Sequence, residues 1–157
     1  MKSILLSVAL FAAIFTQKAN AQDSTKTQPS QLLTTYYTIK DALVGSNAKT
    51  AAEAAGDFVK AVNAADKEIL KEETRSALLK DANDIADSKD LNTQRQKFAN
   101  LSSTMYALAK TVKLSPDPVY QQYCPMKKAS WLSSNKAIKN PYYGKAMLTC
   151  GSVKETL

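Results

Sequence analysis

Leu91, Phe98, Met105 and Val112 recur every seven residues, and Leu101 and Leu108 each follow by three after Phe98 and Met105. Such a two-column apolar seam commits this stretch to a long helix that packs against other helices, because a heptad repeat keeps one stripe turned toward its neighbours. Asp90 stands in front as a capping residue. Met105, on the seam, is expected to fill core space rather than ligate.

Three weaker stripes precede this one. Leu32, Tyr36, Ile39 and Leu43 step by four, three and four; Ser30 is placed to cap that helix and Gly45-Ser46-Asn47 to stop it. Ala51, Ala55, Phe58 and Val62 repeat the spacing with small residues that admit a close neighbour. The register fails around Asn63 to Asp66. A third helix over about Lys67 to Ala86 would turn Leu70, Leu78, Ala82 and Ile85 inward. Short polar connections force successive helices to run antiparallel. The expected fold is therefore all-α: an antiparallel four-helix bundle over residues 31–115.

Ser115-Pro116-Asp117-Pro118 ends helical structure, since paired prolines remove donors and fix the backbone. Residues 116–157 read as an irregular segment, rich in Cys, Met and Tyr, packed on the bundle as part of the same domain. Alternation through Val119, Gln121 and Tyr123 permits a short strand, and Asn140-Pro141 and Gly144 mark turns. Between Val119 and Gly151 lie both cysteines, the single tryptophan and Lys127, Lys128, Lys136, Lys139 and Lys145, without one acidic residue.

The front of the chain has a different purpose. Met1-Lys2-Ser3 is a basic start, Ile4 to Phe15 is uncharged and apolar or small, and Ala19-Asn20-Ala21 is the small-x-small pattern that signal peptidase reads. The apolar run is shorter than the roughly 20 residues that span a bilayer as a helix. Residues 1–21 are thus expected to be a signal peptide cleaved after Ala21, with 22–30 a flexible lead-in and a periplasmic product without a transmembrane segment. Loss of Lys2 and Lys18 lowers the net charge from +7 to +5. Nucleic acid is not an expected partner outside the cytoplasm.

The chain contains no histidine, so the commonest general base and metal ligand are missing. No Gly-rich phosphate loop or spaced carboxylate pair replaces them, and no enzymatic activity is expected. Sulfur is what remains. Cys124-Pro125-Met126 and Met147-Leu148-Thr149-Cys150 are two Cys/Met pairs in mirrored order. If the tail folds back, Cys124, Met126, Met147 and Cys150 form a soft donor set that selects Cu(I) or Ag(I) over hard cations. The neighbouring lysines favour thiolates and repel a hard cation held by neutral oxygens. The alternative is a Cys124–Cys150 disulfide stapling the tail, which would contribute roughly 3 kcal/mol by restricting the unfolded chain, with Met126 and Met147 as packing fillers. The lysine run is either a solvated face or a docking surface for an acidic partner or anionic lipid.

The sequence resembles an uncharacterised domain of Gram-negative bacteria, found alone behind a signal peptide or fused to the C-terminus of periplasmic adaptor subunits of heavy-metal efflux pumps. The resemblance runs from about Tyr36 to Val153. It is carried by Ser88-Lys89-Asp90, Leu101-Ser102, Met105-Tyr106-Ala107-Leu108, Tyr120 to Met126, Trp131-Leu132-Ser133, Ile138, Asn140 to Gly144 and Met147 to Gly151. It implies copper or silver handling in the periplasm, with an efflux adaptor or a metal donor or acceptor protein as partner. Many members carry histidines in the helical part, and Lys97 stands here where one is common. Only the four sulfur residues of the tail carry over as ligands. The alternative function is a disulfide-stapled interaction module that docks on an efflux adaptor and binds no metal.

Overall fold

The computed structural model describes residues 29–157; the leader, its cleavage point and almost all of the lead-in lie outside the described residues. Four helices come first: α1 (Pro29–Val44), α2 (Ala48–Ala64), α3 (Glu72–Asp87) and α4 (Leu91–Thr111). Their boundaries follow from local chemistry. The Asn47 side chain accepts the Thr50 amide at 3.1 Å and caps α2. Asp90 caps α4, as its sequence position suggests, accepting the Thr93 amide at 2.8 Å and the Thr93 hydroxyl at 2.7 Å. Ser30 lies inside the first turn of α1 rather than before it.

Most of the expected inward residues are buried: Leu32, Tyr36, Ile39 and Leu43 of α1, Ala51, Ala55, Phe58 and Val62 of α2, Leu78, Ala82 and Ile85 of α3, and Phe98, Leu101, Met105 and Leu108 of α4. Leu91 and Val112, at the two ends of the expected seam, are half-buried, and Val112 follows the last residue of α4. Leu70 is buried too, but from a turn. The Ile69 and Leu70 amides both donate to the Asp66 carbonyl, and α3 begins at Glu72, later than the stripe suggests. Arg75 braces this turn. Its guanidinium reaches back to the carbonyls of Val62, which also accepts the Ala65 amide, and of Ala65 at the end of α2. Gln94 occupies the seam position between Leu91 and Phe98, and its Nε2 donates to the carbonyls of Ala48 at 2.9 Å and Ser88 at 2.8 Å, tying the start of α2 to the end of α3.

The tail is not irregular, and the fold is not all-α. β1 (Tyr120–Cys124), β2 (Ala129–Ser133) and β3 (Ser152–Thr156) form an antiparallel sheet in the order β2-β1-β3, with a short 3-10 helix at Gly144–Met147. The register pairs Gln122 with Trp131 and Cys124 with Ala129 on one side, and Tyr123 with Ser152 on the other. Burial follows the opposite phase from the one read through Gln121 and Tyr123: Gln122 and Cys124 are the buried members of β1. The molecule is a mixed fold of four helices and a small sheet.

The sheet docks on the seam between α1 and α4. The Leu132 amide donates to the Tyr36 hydroxyl at 3.0 Å, and Tyr36 stacks on Phe98 with ring centroids 5.2 Å apart. Tyr142 lies between Phe98 and Trp131, at 6.1 and 5.8 Å. Arg95 adds a polar clamp, donating from Nε to the Pro141 carbonyl at 2.9 Å and from Nη2 to Leu43 at 3.2 Å. Cys124, Trp131, Leu132 and Tyr142 join the same hydrophobic core as the helices. Among the described residues, no helix is long and apolar enough to cross a membrane.

Candidate functional site

Cys124 is the last residue of β1, and residues 125–128 turn the chain into β2. Pro125 fixes the first backbone angle, Lys128 takes φ 55°, and the Lys128 amide donates to the Cys124 carbonyl at 2.9 Å. This tight turn aims the amides of Met126 and Lys127 back at the Cys124 sulfur.

Cys150 arrives from the other side. Its amide donates to the Met147 carbonyl at 3.1 Å, which closes the turn after the 3-10 helix. Gly151 follows with φ 148°, and a Cβ there would lie 2.9 Å from the Tyr123 carbonyl oxygen and 3.0 Å from the Trp131 ring. Only glycine lets the chain pass this close before Ser152 pairs with Tyr123.

Asn140 holds the two halves together. It is fully buried; its Nδ2 donates to the Cys150 carbonyl at 2.9 Å, and its Oδ1 accepts the Tyr142 amide at 2.8 Å. Its amide and carbonyl bond to Leu148 and Gly144, and its side chain also hydrogen-bonds to the Cys124 sulfur.

The result is two free thiols with their sulfurs 3.7 Å apart. They are not equivalent. Burial pushes the Cys124 thiol up, but donors from the Lys127 amide, Asn140, Cys150 and the Met126 amide outweigh it, so its pKa falls below the ordinary value. Cys150 moves up, chiefly because its hydrogen bond is to Cys124, with burial and the charge on Cys124 adding to the effect. The first proton therefore leaves Cys124, and Cys150 keeps its own to bridge the sulfurs.

Of the four expected sulfur residues, the structure brings the two cysteines together. Met126 contributes its backbone amide to both sulfurs while its side chain is 63% exposed. Met147 is 36% exposed, at the end of the 3-10 helix. Neither methionine plugs a gap in the core. Trp131 and Tyr142 do belong to the core. Among the described residues, no group of three or more His, Cys, Asp or Glu side chains is placed to hold a metal ion.

Residues 32–117 match the model of a family described as "Protein of unknown function (DUF3347)". The chain belongs to that family. The DUF3347 match spans the helices and ends before β1, so the dithiol and the sheet lie beyond the matched residues. No curated protein and no solved structure matches the chain.

Sequence reasoning found the cysteines but missed Asn140 and Gly151 as the parts that position them. Asn140-Pro141 signals a turn, and nothing in a lysine-rich stretch distinguishes a buried amide from a solvated one.

Proposed function

We propose that the protein binds a single soft ion, Cu(I) or Ag(I), through Cys124 and Cys150 after export to the periplasm. The observation that carries this reading is the pair of sulfurs at 3.7 Å, one of them held toward its thiolate form by backbone and side-chain amide donors.

The separation constrains the ion. Sulfurs 3.7 Å apart would let both thiolates hold one ion from the same side, leaving room for further ligands. No histidine or third cysteine exists to supply them, and among the described residues no carboxylate joins the pair. The Met126 and Met147 thioethers flank the dithiol in sequence and are exposed, so they are the side chains free to complete the set. Two thiolates with two thioethers suit a soft monovalent cation better than zinc, whose sites use Cys, His and carboxylate. The resemblance to domains fused to efflux adaptors supports the same reading, and such an adaptor, or a metal donor or acceptor protein, is the partner it proposes. No catalytic activity forms part of this proposal.

Titration of reduced protein with Cu(I) against a competing chelator tests it. One equivalent should bind to the wild type, Cys124→Ser should abolish binding, and Met147→Leu should weaken it. Undiminished binding in Cys124→Ser would remove the site. The export step has its own test: protein recovered from the periplasm should begin at Gln22 by mass spectrometry, and an intact Met1 would refute cleavage.

A disulfide between the same sulfurs is the competing state. Forming it removes two protons and two electrons from the dithiol, passes them to an oxidising disulfide partner, and draws the sulfurs to about 2.05 Å. Oxidised protein should then bind no metal. A free-thiol count on periplasmic protein, before and after chelation, separates the two states.

A further inference from the structure

The large hydrophobic side chains that stand exposed among the described residues are Met126, Met147, Leu148 and Val153. They come from three segments that meet at the dithiol. Met126 is in the β1–β2 turn, Met147 and Leu148 precede Cys150, and Val153 lies in β3, whose start is paired with the end of β1. Residues 125–128, 145–149 and 152–154 are exposed throughout.

Charge is arranged around the same place. Lys127, Lys128, Lys145 and Lys154 sit within these three segments; Lys154 Nζ lies 5.5 Å from the centre of the ring of Tyr123, which precedes Cys124 on the other face of β1. From Val119 onward the chain has one acidic residue, Glu155. It is already engaged, accepting from the Tyr106 hydroxyl at 2.6 Å and from Lys110 at 2.5 Å. The helices differ in this respect: their lysines face carboxylates, as in Lys49–Glu53, Lys60–Asp57 and Lys97–Asp84. Among the described residues, no carboxylate lies within ion-pair distance of Lys127, Lys128, Lys145 or Lys154. Exposed apolar side chains with lysines beside them in the same segments have the composition of a protein-binding patch, and the lysines' sign selects the opposite sign on the partner.

We infer that this end of the sheet is a docking face for a protein whose own contact surface has an apolar centre and an acidic rim, brought against the dithiol so that a soft ion can be handed between the two sets of sulfur ligands. The inference rests on the soft-ion reading for its purpose but not for the contact itself. The lysines would steer the encounter and set its salt dependence, while the methionines, Leu148 and Val153 would exclude water at the contact. An anionic membrane would also attract lysines. Four apolar side chains spread over three short segments around a recessed dithiol, with no long amphipathic helix presenting them, favour a protein.

The test uses protein expressed from the full-length chain and a synthetic twelve-residue peptide of Glu, Leu and Met, followed by backbone amide chemical shifts. The metal-free acidic peptide should perturb residues 125–128, 145–149 and 152–154. Binding should weaken roughly tenfold between low and physiological salt and be lost in Lys127→Glu/Lys145→Glu, two exposed positions whose exchange leaves the helical circular dichroism unchanged. A Lys, Leu and Met peptide of the same length should not bind. Shifts confined to other surfaces, equal response to the basic peptide, or response to phosphatidylglycerol vesicles without response to the acidic peptide would overturn the inference. Repeating the titration with Ag(I)-loaded peptide separates the two claims. Docking without ion uptake leaves the face and removes the metal site; uptake of free Ag(I) without peptide docking does the reverse.

Discussion

The Tyr36 hydroxyl in α1 accepts the backbone amide of Leu132 in β2 at 3.0 Å, across 96 residues of sequence. The same oxygen lies 2.7 Å from Ser102 Oγ in α4, so one side chain joins two helices and the sheet inside the core. Burial raises the Tyr36 pKa far above the ordinary tyrosine range, which keeps the hydroxyl protonated and able to serve both partners. Tyr36→Phe should orphan the buried Leu132 amide and cost about 1–3 kcal/mol. Ser102→Ala leaves the Leu132 bond intact and should cost less. Denaturant unfolding of the two variants checks the order.

Leu101→Asp should unfold the domain. Leu101 is fully buried on the most regular helix, and an unpaired carboxylate there costs several kcal/mol or more against a typical margin of about 5–15 kcal/mol. Circular dichroism and the thermal midpoint are the readouts. An unchanged midpoint would place the seam elsewhere.

Gly151→Ala tests the positioning of the dithiol without altering a sulfur. The new Cβ meets the Tyr123 carbonyl and the Trp131 ring in a backbone conformation that L residues avoid, so β3 must shift away from β1. The expected outcome is a loss of about 1–3 kcal/mol and slower formation of a Cys124–Cys150 disulfide in a mild oxidant. Retained helical circular dichroism would show that the damage stays in the tail.

The two thiols should titrate as a coupled pair, with one step below the free-cysteine value of about 8.5 and one above it. The signs for stability differ. Cys124, lowered in the folded state, adds stability that is complete above the unfolded thiol pKa and is lost as pH falls through its folded value. Cys150, raised, adds stability that is complete below the unfolded value and is lost as pH rises toward its folded one. Stability from the pair should therefore peak near the ordinary thiol range and fall on both sides. Thiolate absorbance against pH, and midpoints of unfolding at matched pH, check this. A single step at the ordinary value would contradict the asymmetry.

How much of this was legible in the sequence depends on the element. α4 was plain because Phe98, Leu101, Met105 and Leu108 repeat without interruption and are all buried. The start of α3 was misplaced because Leu70 keeps the helical spacing although it sits in a turn, one built on Asp66 and braced by the reach of Arg75 to the end of α2. The sheet was hidden for a different reason. In β1 the buried members are Gln122 and Cys124; the Gln122 Nε2 donates to the Asn135 and Lys136 carbonyls at 2.8 and 3.2 Å. A strand that buries a glutamine shows no apolar alternation, and β3, exposed along most of its length, shows none either. Cys124 and Cys150 could be paired from their mirrored neighbours. The amides that make Cys124 the more acidic thiol depend on turn geometry, which residue types alone do not specify.

Cys150 is separated from β3 by Gly151 alone, and β3 is an edge strand held to the sheet by β1. The distance between the two sulfurs is therefore mechanically coupled to the seating of five residues. Work done in peeling Ser152–Thr156 from Tyr120–Cys124 is work done on whatever spans the sulfurs. By reciprocity, anything that spans them clasps the strand by the same free energy. Strand and ligand then act as one latch, and a neighbour that engages the free edge of β3 would change sulfur affinity without touching either cysteine.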